Sequence, residues 1–200
     1  MSTGPATGKG QRRRQEIIEG AAAILREHGP QSVSHRAVAQ RVGCSLSAMT
    51  YYFTGLDDLL GEAGRVNITR WASRAERAAD SAERNPVPET TDGVVDLVLE
   101  ATLPADEDLL GHYLQLVAAG GSPPVRSAYR VGRDRLTTAV SRVLQRVGCD
   151  WPAELVMAVV DGACVNALSE GRDVRATAEN AIGQLIGAAS VLDPDAVILS

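Results

Sequence analysis

The sequence predicts an all-α fold: a three-helix head followed by a larger helical bundle, about nine helices in all. Apolar residues recur at 3.6-residue spacing from Ile17 to Ile186, and no stretch of strand length alternates apolar with polar. Each stripe also stops at glycine or proline, the residues that end helices. With 200 residues of which 44% are hydrophobic, the chain can bury a sizeable core. Three segments are predicted: a disordered tail at 1–10, a head at 11–56 and a body at 57–200.

The first helix opens after the polar, Gly-rich residues 1–10. Ile17, Ile18, Ala21, Ala22, Ile24 and Leu25 form its inner face, and His28-Gly29-Pro30 ends it. A short helix follows with Val38 and Val42 on one face, Ala39 small enough for close approach and Gly43 at the stop. A left-handed turn residue needs to lack a Cβ, which Gly43 does. Ser45 is then an N-cap for a second short helix, in which Met49 and Phe53, four apart, face inward. Two short helices crossing steeply, a helix-turn-helix, are what this spacing builds.

Thr54-Gly-Leu-Asp57 reads as the next helix start, a hydroxyl cap with a carboxylate three residues on. The helix it opens carries Leu59, Leu60, Ala63, Val66 and Trp71 and breaks at Asn85-Pro-Val-Pro88. Gly93 to Leu103 and Asp106 to Ala119 are shorter apolar helices. After Pro123-Pro124 a long helix keeps Val125, Tyr129, Leu136, Val140, Val143, Leu144 and Val147 on one face until Gly148. The last two helices are Pro152 to Glu170 and Val174 to Leu192. The stripe on the former is too wide for one neighbour. On the latter, Gly183 and Gly187 lie one turn apart, and each costs about 1 kcal/mol against Ala, which suggests close helix contact.

Charge is divided unevenly. Residues 1–56 carry +4, while the chain as a whole carries −5. A basic head meeting phosphates and an acidic body held away from them fit that division. No apolar run approaches the roughly 18 residues a membrane span needs, and the N-terminus has no apolar signal core, so a cytoplasmic protein is expected. Cys44, Cys149 and Cys164 lack paired spacing, which argues against a disulfide framework or zinc site and for buried, inert thiols. An enzyme is disfavoured as well. There is no His-Glu-x-x-His, no Glu-x-x-His pair and no phosphate loop, and a body histidine acting as base would have to be His112. No metal or cofactor is expected.

Residues 11 to 62 resemble the DNA-binding domain of the tetracycline-repressor (TetR) family of bacterial transcription regulators. The likeness runs from Ser34 and Val38-Ala39 through Gly43 and Ser45 to Tyr51, Tyr52, Phe53 and Leu59. Two departures stand out: Thr50 where the family usually has Tyr, and Leu56 where it has a Lys that commonly reaches a phosphate. Leu46 also replaces an often basic residue. Loss of the Lys removes one charge-assisted contact and about one unit of salt slope.

The resemblance implies a homodimer that binds a palindromic operator in double-stranded DNA and answers to a small-molecule effector, more often as a repressor than as an activator. Ser34, His35 and Arg36 would hold phosphates with the N-terminal arm of Arg12, Arg13 and Arg14. Ser45 would sit at the start of the second motif helix, Ser47, Ala48 and Tyr51 would meet base edges, and Thr50 and Tyr52 the backbone. The effector would lie among the middle helices. Trp71, Leu97, Tyr113, Leu116 and Val117 are candidate lining residues, with Tyr129, Met157, Asp161 and Asn166. The last two helices would pair with their copies through Leu155, Val159, Ala163 and Ala167 on one and Ile182, Leu185, Ile186 and Ala189 on the other. The alternative is an architectural or protein-interaction protein with no small-molecule ligand.

Overall fold

In a computed structural model of the chain, residues 8–104, 110 and 113–192 are described, apart from the side chains of Leu116 and of residues 189–192. Among them are nine α-helices and no strand: α1 (Gly8–His28), α2 (His35–Val42), α3 (Leu46–Tyr52), α4 (Leu56–Arg84), α5 (Thr91–Thr102), α6 (Tyr113–Ala118), α7 (Pro123–Arg146), α8 (Ala153–Glu170) and α9 (Val174–Leu192). Gly8, Lys9 and Gly10, expected in the tail, already belong to α1, and residues 1–7 lie outside the described residues. His112 and much of the Asp106–Ala119 stretch lie outside the described residues.

The caps follow the side chains. Ser34 accepts from the Ala37 amide and Ser45 from the Ala48 amide, and Gly43 takes φ 62°, the left-handed turn a Cβ would oppose. At α4 the carboxylate is Asp58 rather than Asp57. The helix starts at Leu56, so Asp58 occupies its third position, and its Oδ2 accepts from the Thr54 amide at 3.1 Å.

The chain divides into two compact units, Met1–Thr69 with Gln115–Gly132, and Arg70–Leu114 with Arg133–Ser200. The division is not the linear one at residue 56. The start of α4 packs on the start of α7: a Cβ added at Gly64 would come within 3.3 Å of Val125 and Ala128. The first unit's core joins Ile17, Ile18 and Leu25 of α1, Val38 of α2, Met49 of α3 and Leu59 of α4. In the second unit, α9 packs on both α8 and α5. Its core includes Val98, Leu99, Leu136, Val160 and Ile182, all at most 1% exposed. Trp151, just ahead of α8, donates its Nε1 proton to the Leu185 carbonyl at 3.0 Å and ties the two last helices together.

The last two helices hold a correction to the expected interface. Ala163, Ala167, Ile182 and Ile186 are buried in the chain's own second unit, whereas Leu155 is 39% exposed and Val159 and Leu185 are half-buried. A wide stripe contains both an inward face and an outward one, and spacing alone does not separate them. The side chain of Ala189 lies outside the described residues. A Cβ added at Gly183 would approach Val95 only to 4.0 Å, and one at Gly187 would meet nothing among the described residues, so close contact with these parts of the chain is not what the glycines serve.

Candidate nucleic-acid interface and effector cleft

The second motif helix, α3, has an inner side fixed by Met49, fully buried, and by Phe53 at its end, 3% exposed. Its outer side is open to solvent. Tyr51 is 81% exposed and Leu46 54%, and Tyr52, half-buried, packs edge-on against Tyr51 with ring centroids 4.9 Å apart. Large apolar side chains left in water on a well-anchored helix mark a surface that meets a partner. The hydroxyls there are organised by the helix itself. Ser45 and Ser47 share a 2.8 Å hydrogen bond, and Thr50 Oγ1 donates to the Ser47 carbonyl at 3.1 Å. Ser47 is exposed and Ala48 half-buried, so both remain reachable.

Of the expected phosphate contacts, Arg12 and Arg36 are exposed, with no hydrogen bond or ion pair among the described residues. Three others are spent on the fold. Arg13 donates to the Gly43 carbonyl at 2.9 Å and to Glu16 at 2.6 Å, so it braces the turn of the motif. Arg14 donates to Glu62 at 2.8 Å and lies 5.2 Å from the Phe53 ring centroid, a cation–π contact. The Nε2 atom of His35 is enclosed with no hydrogen-bond partner among the described residues, so it faces inward. A run of three arginines looks alike in sequence, but α1 turns them in three directions. Leu46 belongs with these site residues, and its place directly after the N-cap Ser45 is the sequence signal that it heads the exposed helix.

Four expected effector residues converge in the second unit. Trp71, Tyr113, Met157 and Asp161 line one cleft together with Thr102, Arg133, Leu136 and Val160. The rings of Trp71 and Tyr113 meet edge to face at 5.8 Å, and Trp71 Nε1 donates to the Thr102 carbonyl at 3.2 Å. Tyr113 Oη donates to Asp161 Oδ1 at 2.5 Å. Burial, reinforced by the Asp161 charge, pushes the phenol far above its ordinary value, so Tyr113 stays a permanent donor. The cleft leaves about 10 Å³ of free volume, roughly one water.

The other expected lining residues do not reach it. Tyr129 packs on the first unit's core, Val117 and Asn166 face solvent and Leu97 is half-buried away from the cleft. The side chain of Leu116 lies outside the described residues. Each fitted the helical period, but period fixes only a face, and these faces point elsewhere. The cleft also holds residues that sequence reasoning missed, Arg133 and Thr102, and beside it Arg74. The cysteines are free. Cys164 is buried, and burial, with Asp161 nearby, pushes its thiol up to about 12. Cys44 and Cys149 are only half-buried, short of expectation. No cluster of potential metal ligands occurs among the described residues, and no helix there is long and apolar enough to cross a membrane.

The comparisons with known proteins agree with this arrangement at both ends of the chain. Residues 17–63 match the family of bacterial regulatory proteins described as tetR, and residues 85–188 match the tetracyclin repressor-like C-terminal domain. The transcriptional regulator PksA of Bacillus subtilis is 23% identical over 168 residues, 79% of this chain and 80% of that protein. The nicotine-responsive transcriptional repressor HdnoR of Paenarthrobacter nicotinovorans is 24% identical over 171 residues, 82% of this chain and 87% of its own length. Among solved structures, the multidrug binding protein EbrR complexed with imidazole superposes with a TM-score of 0.61 at 27% identity, covering 87% of this chain and 94% of that one. With a bare recognition helix in front and a matching helical domain behind, the chain belongs to the TetR family of transcriptional regulators.

Proposed function

We propose that the chain is a dimeric, ligand-responsive DNA-binding regulator, a repressor that leaves a palindromic operator when a small molecule occupies the cleft of the second unit. The observation that carries this reading is the exposure of Tyr51 on a helix whose opposite side is locked by Met49 and Phe53. Ser47, Ala48 and Tyr51, with Leu46 at the head of the helix, read base edges. Arg12, Arg36 and the Ser34, Thr50 and Tyr52 side chains hold the backbone. The outward stripe of α8, Leu155, Ala158, Val159, Gly162 and Asn166, pairs with the outward face of α9, including Leu185 and Ala188, in a second copy. Gly162 leaves open space where that copy's backbone approaches. A dimer is what sets two recognition helices a whole number of DNA turns apart.

The relatives named for nicotine response and multidrug binding support an effector. Both α4 and α7 contribute residues to each unit, which gives an effector a mechanical route to the reading helix.

Selection of bound genomic fragments with the purified chain, followed by competition with random duplex, tests the reading. A specific regulator recovers one palindromic site against which random duplex competes poorly. Arg36→Ala weakens binding on every sequence and lowers the salt slope by about one, whereas Tyr51→Ala relaxes base preference. Equal competition by random duplex would favour an architectural protein instead, a reading the exposed Leu46 and Leu56 keep in play.

A further inference from the structure

The arginines of the second unit show what their guanidinium edges hold. Arg135 gives Glu76 its Nε at 2.9 Å and its Nη2 at 2.7 Å, and Arg142 gives Glu83 the same two atoms at 2.8 Å each. Both are forked, side-on pairs in which two parallel N–H groups match the two oxygens of a carboxylate. Arg74 carries the same pair of atoms, Nε and Nη2. Both are enclosed, and neither has a hydrogen-bond partner among the described residues. Arg74 stands one turn of α4 beyond Trp71 and near Tyr113, whose phenol its charge reaches. Both of those residues are walls of the cleft. Glu100 attracts Arg74 from beyond ion-pair distance, and Arg77 repels it. Burial lowers the guanidinium to about 10, which still leaves it charged at neutral pH.

A second guanidinium, Arg133, lines the cleft and makes no ion pair among the described residues. Asp161, the one carboxylate on the wall among the described residues, is already held by Tyr113. The charges therefore favour an anion, and the remaining wall of Trp71, Leu136, Met157 and Val160 favours an apolar body. We infer that the cleft takes an organic carboxylate, its head held in the empty fork of Arg74 with help from Arg133 and its body against the Trp71 and Tyr113 rings. A cation-binding pocket would need the opposite arrangement, a bare carboxylate among the rings. Entry requires the walls to part, and the long, flexible side chains of Arg133 and Met157 are the ones with rotamers to spare.

The inference rests on the effector reading above, so its test is kept free of DNA. Isothermal titration of the full-length chain with 2-naphthoate, 2-naphthamide and 2-(aminomethyl)naphthalene varies the charge of the head and keeps the body. The carboxylate is expected to bind at least about tenfold more tightly than the amide, and the amine more weakly than either. Arg74→Met abolishes that preference by costing the carboxylate far more affinity than the amide, Arg74→Lys restores part of it, and Arg133→Met reduces it less. Helix content and thermal midpoint of each variant report whether it has folded. Equal binding of all three probes, tighter binding of the amine, no binding of the carboxylate at millimolar concentration, or a preference that survives Arg74→Met would each overturn the inference. Operator binding by the same preparations is scored separately, so that loss of specific DNA binding counts against the regulator reading alone.

Discussion

In the first unit, an arginine that reaches into the fold finds a partner. Arg14 meets Glu62 and the Phe53 ring, Arg13 the Gly43 carbonyl, and Arg41 a forked pair with Glu27 at 2.7 Å for each bond. In the second unit, Arg74 is sunk beside the cleft with two enclosed N–H groups and nothing among the described residues to receive them. The contrast separates two uses of one side chain. Partnered arginines fix the shape that presents α3, and little is gained by moving them. An enclosed guanidinium without an acceptor raises the energy of the empty state, and whatever supplies the acceptor recovers that energy as affinity. Rigidity belongs where a helix must be held for reading, and an unsatisfied group belongs where a ligand is awaited.

The largest expected effect separates the two sides of α3. Met49→Ala should destabilise the first unit by about 2–5 kcal/mol, since it opens a cavity at a fully buried site. Tyr51→Ala, two residues on and 81% exposed, should change stability by less than about 0.5 kcal/mol while reducing specific DNA binding. Urea unfolding and duplex titration on both variants check this. If Tyr51→Ala destabilised as much as Met49→Ala, the ring would have to be part of the core, and the comparison would collapse.

Next in size is the gain from removing an unpaired buried charge. Arg74→Met should raise the stability of the ligand-free chain by about 1–3 kcal/mol, because the apolar stem is kept and the desolvated guanidinium is lost. Arg14→Met, at a partnered site, should lower it, because Glu62 loses one of its two arginine partners and Phe53 loses its cation. Thermal midpoints without added ligand decide between the two signs. A loss of stability in both variants would mean that Arg74 serves the fold as Arg14 does.

Much of the head could be read from sequence because its signals are local. Gly43 needs a particular backbone angle, Ser45 caps the nearest amides, and Met49 with Phe53 shares a face by spacing alone. The end of α4 was equally plain, set by the two prolines after Asn85. Side-chain destinations were less legible, since they depend on neighbours distant in sequence. Arg13 and Arg14 are adjacent, yet one turns to Gly43, 30 residues away, and the other to Glu62, 48 residues away. Within α8, Ala167 and Asn166 differ by one position and one hundred degrees of helix, which puts the first in the core and the second in water. Asp161, a polar residue within the apolar stripe of α8, meets Tyr113 from 48 residues away, a pairing that spacing alone does not reveal. Arg74 gives no signal either, because an arginine among Ser73, Glu76 and Arg77 reads as one more solvated residue until its surroundings are seen.

The smallest effect tests the partnered side of the comparison through pH. Hydrogen bonds from Arg41 hold the Glu27 carboxyl below its ordinary value of 4.5, against a smaller opposing push from burial. A carboxyl depressed in the folded state stabilises above its unfolded pKa, and that contribution is lost as pH falls through the folded value. Stability of the wild-type chain should therefore drop more steeply below about pH 4.5 than that of Glu27→Gln, with the two curves separated by about 0.5 kcal/mol at neutral pH, the scale of a partly exposed pair. Urea midpoints from pH 7 to 3 measure the gap, and added salt should narrow it at the neutral end. A constant gap across that range would mean that Glu27 contributes through packing rather than through its charge.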